Sequence, residues 1–285
     1  MTRRGGRRPG AVIARSVAAA AAAGLAAWAG WIEPRRLVVR RTALALPRWP
    51  AALAGVRVGV MTDFHGGVPH AGEDVFARWV AAMNAERPDL ILLGGDFADA
   101  HVLFGGRLSP RRMTAHLAGL RAPLGVYAVL GNHDWKQFGW GMYDALARTP
   151  IVLLENSSVP VNAPGGRFHV AGLGDLRMRS ADIGAALRAV PPGEPVVLLS
   201  HDPDVFPRVP ERVALTVAGH THGGQVAIPL VRRPVVPSSY GERYVRGHVV
   251  EGGRHLIVSS GLGTSGAPVR LLAPPELLVL ELRPG

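Results

Sequence analysis

The sequence predicts an α/β fold that follows a single membrane helix. Five short apolar runs end in polar residues and have the composition of buried strands. Stretches with helical periodicity lie between these runs, and strands that alternate with helices indicate an α/β fold with short crossovers. Near the N-terminus, the 17 uncharged residues SVAAAAAAGLAAWAGWI (16–32) form a run close to the shortest that crosses a bilayer as a helix.

Composition and charge predict the domain organisation. The chain has 285 residues, 48% of them hydrophobic, and no cysteine, so disulfides, thiolate metal sites and cysteine nucleophiles are excluded. No repeat or long linker interrupts the region after residue 49. We therefore divide the chain into a basic tail (1–15), a transmembrane anchor or uncleaved signal (16–32), a basic juxtamembrane linker (33–49) and one folded domain (50–285).

The positive charge is concentrated in the N-terminal region. Of the formal net charge of +11, residues 1–48 carry +9, from ten arginines and one glutamate, and the rest of the chain carries +2. A protein that tracks DNA spreads its positive charge over the folded face that meets the phosphates, so no nucleic-acid partner is expected. Arginines on both sides of an apolar run instead indicate an anionic membrane as the partner.

The apolar run is interpreted as a single N-terminal anchor in the cytoplasmic (inner) membrane. An alanine-rich soluble helix is the alternative, but the run has no polar face, and Trp28 and Trp31 suit the headgroup interface. Five arginines precede the run and five follow it, so the positive-inside count leaves the orientation open. The N-terminal TRRGGRR loosely resembles a twin-arginine export signal, and the outer face is the favoured side for the folded domain. Removal of the segment at a small-x-small site stays open.

The five apolar runs all end in residue types that bind metals. They are VRVGVMTDFH (56–65), DLILLGGDFAD (89–99), GVYAVLGNHD (125–134), EPVVLLSHDPD (194–204) and VALTVAGHTH (213–222). In α/β folds, ligands gather at the carboxyl ends of the strands. We therefore expect these polar ends to meet at one site.

Helices are predicted between the strands. Residues 71–89 place apolar side chains at i, i+3, i+4 and i+7 from Phe76 onward, with acidic residues in the favourable first turn. Further candidates are residues 110–120, 140–148 and 180–190. From Ile228 to the end, the pattern favours strands and turns.

Seven side chains at the strand ends form a candidate metal-binding set: Asp63, His65, Asp96, Asn132, His201, His220 and His222. A lone histidine at a strand end is usually structural, but five coinciding ends are hard to explain as turn chemistry. Carboxylate, imidazole and amide ligands without sulfur suit manganese, iron or zinc. Seven ligands are too many for one tetrahedral ion, and they suit two divalent metal ions that share a carboxylate.

The same residues resemble the ordered motifs of the calcineurin-like metallophosphoesterase superfamily. The matching blocks are Asp63-x-His65, Gly95-Asp96, Gly131-Asn132-His133-Asp134, His201 and Gly219-His220-x-His222, over residues 58–225. The resemblance implies a four-layer α/β fold, with a central β-sandwich flanked by helices. The form HTHGGQ and the C-terminal segment further resemble a bacterial subgroup of membrane-attached or exported phosphodiesterases, some of which cleave the pyrophosphate of UDP-diacylglucosamine.

The resemblance also implies a role for each matching residue. One ion would be held by Asp63, His65, Asp96 and His222, and the second by Asp96, Asn132, His201 and His220. Asp96 would then bridge two ions that share the attacking hydroxide. His133 would face the substrate and stabilise charge or protonate the leaving oxygen, with Asp134 orienting its ring.

Two further candidates come from the residues alone. Arg270, in GTSGAPVR, has a planar guanidinium that suits a substrate phosphate, and a plain salt bridge is the alternative. Asp202 and Asp204 lie beside His201 and would polarise it from behind, or serve only as turn residues around Pro203.

The predicted function is metal-dependent hydrolysis of a phosphodiester, pyrophosphate or phosphomonoester. The anchor favours a membrane- or envelope-linked substrate, such as a nucleotide-linked lipid. The alternatives are a nuclease with the same chemistry and a non-catalytic metal-binding scaffold. A near-neutral domain without a basic or aromatic stripe argues against the nuclease, and the presence of every ligand argues against the scaffold. No G-x-G-x-x-G follows the first strand, which argues against a dinucleotide-binding fold.

Overall fold

The computed structural model describes residues 9–98, 105–106, 108–228 and 236–285, with side chains from Ile13 onward in the N-terminal helix. Most of the predicted basic tail therefore lies outside the described residues. Its arginines outside this part are Arg3, Arg4, Arg7 and Arg8.

In the described part of the chain, the helices are α1 (Pro9–Ala27), α2 (Glu73–Ala85), α3 (Pro110–Leu117), α4 (Asn132–Gln137), α5 (Trp140–Leu146) and α6 (Ile183–Leu187). The strands are β1 (Val38–Leu46), β2 (Arg57–Met61), β3 (Leu90–Leu93), β4 (Val126–Ala128), β5 (Val152–Leu153), β6 (Ser157–Ala163), β7 (Gly166–Gly172), β8 (Val196–Leu199), β9 (Leu215–Ala218), β10 (Gly247–Glu251), β11 (Arg254–Val258) and β12 (Glu276–Pro284). Short π or 3-10 turns occupy Trp28–Ile32, Glu33–Arg35, Ala51–Leu53, Pro203–Arg208 and His222–Gly224.

The strands form two six-stranded sheets. The first has the order β1-β12-β2-β3-β4-β5, in which only β12 and β2 pair antiparallel. The second has the order β10-β11-β9-β8-β7-β6, with parallel pairing from β11 to β7 and antiparallel pairing at both edges. Each of the five apolar runs contains one of the parallel strands β2, β3, β4, β8 and β9.

The central core lies between the two sheets. Val58 and Leu92 of the first sheet belong to one buried cluster with Val197 and Val217 of the second. Each buried aliphatic side chain of this kind contributes about 1.5–3 kcal/mol relative to exposure. Burial of alternate residues from both sheets therefore holds them face to face.

Helices cover the two outer faces. Leu93, which points away from the central core, packs in a cluster with Phe76 of α2. On the other side, Leu198 packs with Ala186 of α6 and with Phe206. These clusters give four layers, so the predicted β-sandwich flanked by helices is confirmed.

Residues 33–49 do not form the predicted linker. Strand β1 pairs in parallel with β12 along its whole length and completes the edge of the first sheet. Leu44 and Leu46 are buried in the central core, whereas Arg40 is exposed and forms an ion pair with Glu276. Arg41 is also exposed and forms an ion pair with Glu86, just after α2, so two adjacent charged residues interrupt the apolar pattern of this edge strand.

The N-terminal helix continues directly into the folded domain. The segment Ile13–Arg35 is long and apolar enough to cross a membrane, and none of its side chains from Ile13 to Ile32 is buried against the domain. At its end, the buried carboxylate of Glu33 accepts hydrogen bonds from Trp28 Nε1 (2.7 Å) and from the backbone N–H of Ala273 (2.8 Å). The end of the helix is thus hydrogen-bonded to the C-terminal loop.

Candidate metal centre

The seven candidate ligands come from both sheets. Asp63 and His65 follow β2, Asp96 follows β3, Asn132 begins α4 after β4, His201 follows β8, and His220 and His222 follow β9. All five strands are parallel members of their sheets, and their carboxyl ends meet at one edge of the sandwich. The structure therefore brings together side chains that are far apart in sequence.

Five of these seven residues have left-handed backbone conformations. The φ angles are 53° at Asp63, 46° at His65, 51° at Asp96, 69° at His220 and 52° at His222. Such conformations cost of order 1–3 kcal/mol each in a non-glycine residue and persist only where the surrounding structure enforces them. Their concentration at one edge indicates a site whose geometry is maintained at a cost in stability.

One group of ligand atoms is formed by Asp63, His65 and His222. Their potential ligand atoms all lie within 4.8 Å of one another, and all three residues are buried. His222 Nε2 is 2.9 Å from His65 Nε2 and 3.5 Å from Asp63 Oδ1. The side chains thus converge on one point from two different sheets.

The second group surrounds His201. Its Nε2 atom is 3.1 Å from His220 Nδ1, 3.2 Å from Asn132 Oδ1 and 3.2 Å from Asp96 Oδ2. The other ring nitrogen, Nδ1, is 2.7 Å from the backbone carbonyl of Gly94 and donates its hydrogen there. This hydrogen bond fixes the tautomer and directs the Nε2 lone pair into the group.

Asp96 lies between the two groups. Its Oδ2 atom is 3.2 Å from His201 Nε2 and 3.6 Å from His65 Nε2, while Oδ1 accepts the backbone N–H of His133 (2.9 Å). A Cβ atom on Gly131 would collide with Asp96 Oδ1, so glycine is required at that position. The carboxylate is therefore placed where it can contact both groups at once.

The electrostatics of the two groups suit divalent cations. Burial lowers the pKa of His220 and of His222 well below the ordinary value, so both rings are neutral and offer lone pairs. Burial alone would also lower the pKa of His201, but the facing Asp96 carboxylate outweighs it and raises that pKa. A cation bound at the second group would take the place of the proton on His201 Nε2, and imidazoles, carboxylates and an amide oxygen are a donor set that fits manganese, iron or zinc.

A second layer of polar residues lies behind His220. Asp202 Oδ2 is 3.7 Å from His220 Nε2 and accepts a hydrogen bond from Arg177 Nε (2.8 Å). Asp202 thus faces His220 and not its sequence neighbour His201. Arg177 also donates to the carbonyl of Pro237 and was missed by the sequence analysis. Its position in the sequence could have identified it, because Arg177 follows β7, another strand of the second sheet that pairs in parallel.

The surroundings of His133 include side chains of its own helix. The Asp134 carboxylate accepts the backbone N–H groups of Gly131, Phe97 and Ala98 (2.8–3.3 Å), and its role in orienting the His133 ring stays a prediction. The side-chain amide of Gln137 lies 3.3 Å from His133 Nδ1. Positions i and i+4 of a helix are neighbours, so the spacing on α4 explains this contact.

Arg270 is not among the residues that line the cavity over the candidate ligands, so its role in substrate binding stays a prediction. Its side chain is fully buried, and the guanidinium donates hydrogen bonds to the backbone carbonyls of Ser260, Gly263 and Ala273. The planar guanidinium group, which would suit a phosphate, donates to three backbone carbonyls of the C-terminal loop. Arg270 therefore holds the C-terminal loop together from inside.

A cavity of about 600 Å³ opens over the two groups. Its polar lining includes Asp96, Asn132, His133, Arg177, His220 and His222. Its apolar lining includes Val226, Pro237, Ala267 and Val269. The site can therefore take a ligand with an anionic group next to an apolar one.

Comparisons with known proteins agree with this geometry. A family profile described as calcineurin-like phosphoesterase matches residues 56–251. The chain is 28% identical over 259 residues to the uncharacterized metallophosphoesterase YkuE of Bacillus subtilis, covering 90% of this chain and 89% of that protein. It is 33% identical over 201 residues to the phosphodiesterase YaeI of Escherichia coli, covering 69% of this chain and 71% of that protein. It is also 26% identical over 311 residues to the UDP-2,3-diacylglucosamine pyrophosphatase LpxG of Chlamydia trachomatis, covering 89% of this chain and 92% of that protein.

Proposed function

Because the chain belongs to the calcineurin-like phosphoesterase family and is a phosphoric ester hydrolase, we propose that it cleaves a diphosphate or phosphodiester bond in an amphipathic, membrane-linked substrate. The observation that carries this proposal is the position of Asp96 Oδ2, between one group of ligand atoms around His65 and another around His201. A carboxylate shared in this way suits a pair of divalent cations.

The ligand residues prepare the site for cations and for an anionic substrate. Bound there, two divalent cations would polarise a phosphoryl oxygen and lower the pKa of an attacking water. Asp63 and Asp96 supply two negative charges, and the remaining ligands are neutral, so two of the four positive charges stay uncompensated. That surplus attracts a phosphate group into the cavity.

His133 is the residue best placed to act on the substrate itself. It lines the cavity, and its ring centroid lies 5.0 Å from that of His65. Its backbone N–H is fixed by Asp96 and its ring is contacted by Gln137. We assign to this imidazole the donation of a hydrogen bond to a phosphoryl oxygen, or of a proton to the leaving oxygen.

The substrate class is inferred from the cavity wall and the N-terminal segment. The apolar side of the cavity suits a hydrophobic substituent beside the phosphoryl group, and the segment Ile13–Arg35 would hold the site at a membrane. The name of one relative describes it as a UDP-2,3-diacylglucosamine pyrophosphatase, and that of another as a phosphodiesterase. The first name supports a nucleotide-linked lipid as the first substrate to test, and the second supports hydrolysis of a phosphodiester.

The test is hydrolysis of a substrate panel by the full chain in neutral detergent, with added Mn²⁺. The full chain is needed because a fragment that starts at residue 50 would lose β1 and expose the edge of β12. The panel consists of bis-p-nitrophenyl phosphate, UDP-diacylglucosamine and p-nitrophenyl phosphate. We expect the lipid-linked diphosphate to give the highest kcat/KM and the monoester the lowest.

Two variants show whether Asp96 carries the activity. Asp96→Ala should lose both bound manganese and hydrolysis, whereas Asp144→Ala, an exposed aspartate on α5, should retain both. Metal content and kcat are measured on the same samples. An active Asp96→Ala protein would refute the shared carboxylate. If p-nitrophenyl phosphate is hydrolysed with a higher kcat/KM than the other two substrates, the proposed substrate class is wrong, but the proposed metal centre is not contradicted.

A further inference from the structure

A second cavity, of about 320 Å³, lies between the end of the N-terminal segment and α2. Its walls include the apolar side chains of Pro34, Leu37, Val68 and Trp79. Among the described residues, it shares no lining residue with the cavity over the metal centre. It is therefore a separate site, and the hydrolytic mechanism makes no use of it.

The cavity carries a net positive charge. Arg35 and Arg78 both line it, and within the described part of the chain no carboxylate forms an ion pair with Arg35. The opposing charge is Asp74, which lies 3.3 Å from Arg78 in a pair whose side chains are 80% and 68% exposed. Exposed pairs of this kind are weak. One whole positive charge therefore remains for an anionic ligand.

The position of Arg35 is fixed by the preceding turn. Its guanidinium carbon lies 3.4 Å from the ring centroid of Trp31, and Nη1 donates to the Trp31 carbonyl (2.7 Å). Beneath it, His70 packs edge-on against Trp31, and its Nε2 donates to the carbonyl of Pro268 (3.2 Å). The arginine is thus held at the cavity by aromatic stacking and not by a carboxylate.

The cavity also lies at the end of the segment that is long and apolar enough to cross a membrane. That segment ends at Arg35 itself, and Trp28 and Trp31 within it are 38% and 65% exposed. Exposed tryptophans at the end of a spanning helix are typical of the headgroup region. If the segment spans, Arg35 and Arg78 meet the phosphates of the adjoining lipid monolayer.

We propose that this cavity binds the phosphodiester headgroup of an anionic phospholipid. The phosphate would accept hydrogen bonds from the two guanidinium groups, and the glycerol portion would lie against the apolar wall. A volume of about 320 Å³ is at the lower end of ordinary small-molecule sites and suits a headgroup. The inference rests on the proposed membrane attachment and is independent of the hydrolytic reaction.

The chain contains a matched control for Arg35. Arg36 is its sequence neighbour, is also exposed, and also stacks on a tryptophan, with its guanidinium carbon 5.4 Å from the Trp28 ring centroid. It does not line the cavity. Arg35→Met and Arg36→Met therefore remove the same charge from the same region, and only the first removes a group from the proposed site.

The test is calorimetric titration of the detergent-solubilised full chain with dihexanoyl phosphatidylglycerol below its micellar concentration. Inorganic phosphate and dihexanoyl phosphatidylcholine are titrated in parallel. We expect Arg35→Met to weaken phosphatidylglycerol binding by about tenfold or more, and Arg36→Met by less than about twofold. Asp74→Asn removes the opposing charge and should strengthen binding by about threefold.

Several outcomes would overturn the proposal. If Arg35→Met and Arg36→Met weaken phosphatidylglycerol binding equally, the lipid is attracted only by the general positive charge of the region. If inorganic phosphate binds as tightly as the lipid, the cavity is a site for free anions. Absence of lipid binding in the unmodified chain would exclude the site outright.

Hydrolysis of bis-p-nitrophenyl phosphate is expected to be unchanged in both arginine variants. This control shows that the variants are folded and separates this test from that of the proposed function. If Arg35→Met does not fold, Arg78→Met should give the same loss of binding.

Discussion

Replacement of Arg270 by methionine separates a structural role from a substrate-binding one. The Arg270 guanidinium donates to the carbonyls of Ser260, Gly263 and Ala273 at a site with no solvent exposure. Burial lowers the pKa of Arg270 to about 10, so the side chain remains charged at neutral pH. Arg270→Met keeps most of the volume and removes every donor.

The expected loss of stability follows from those three carbonyls. A buried acceptor left without a donor costs about 1–3 kcal/mol, so three cost about 3–9 kcal/mol before any relaxation. Part of this cost is offset because the substitution also removes a buried charge. The expected loss in the free energy of unfolding is therefore about 3–5 kcal/mol. For a chain of this size, about 2–4 °C of melting temperature corresponds to each kcal/mol, so the melting temperature should fall by about 6–20 °C.

Thermal unfolding of the purified variants measures this loss. Arg246→Met is the matched control, because Arg246 is exposed and donates a single hydrogen bond to Leu272 of the same loop. It should lower the melting temperature by no more than a few degrees. If Arg270→Met instead melts like the unmodified chain and raises KM for a phosphodiester, Arg270 is a substrate ligand and the structural argument fails.

Three further changes test the site and the sheet edge. His133→Ala should lower kcat by about a hundredfold or more while the manganese content stays the same, because a general acid is lost and no ligand is; parallel loss of metal would contradict this. Asp202→Asn removes the charge that faces His220 and should weaken metal binding by about 10–100-fold in a chelator competition, and unchanged affinity would exclude that role. Burial lowers the pKa of both His248 and His255, so below about pH 6.5 the unfolded chain binds more protons than the folded chain and stability falls. Replacing both residues by glutamine should reduce the drop in melting temperature between pH 7.5 and 5.5, and an unchanged drop would show that the pair is not responsible.

The parts that sequence predicts well are those set by short-range patterns. The run that contains β2 is apolar up to Met61 and then turns polar at Asp63 and His65, so both the strand and the position of its ligands follow from local sequence. The same holds for the run that contains β9 and ends at His220. Parallel strands place their carboxyl ends at one edge, and this general rule is sufficient to bring the candidate ligands together.

The parts that sequence misses depend on partners far along the chain. Strand β1 is recognisable only through its pairing with β12, more than 200 residues later, because two adjacent exposed arginines interrupt its apolar pattern. Asp134 and Arg270 have residue types that suit a catalytic site, but side-chain direction decides their contacts. One turns toward backbone amides and the other toward backbone carbonyls, and neither orientation leaves a mark in the sequence.

The same C-terminal loop connects the N-terminal segment to the cavity over the metal centre. Glu33 accepts the backbone N–H of Ala273, and the carbonyl of Ala29 accepts the backbone N–H of Arg270. Residues 265–267 and Val269 of that loop contribute to the cavity wall. The mouth of the cavity is therefore fixed relative to the end of the segment that is able to cross a membrane. A substrate whose acyl chains stay in the bilayer would then meet the metal centre at high effective concentration, which links the geometry of this loop to the choice of a lipid-linked substrate.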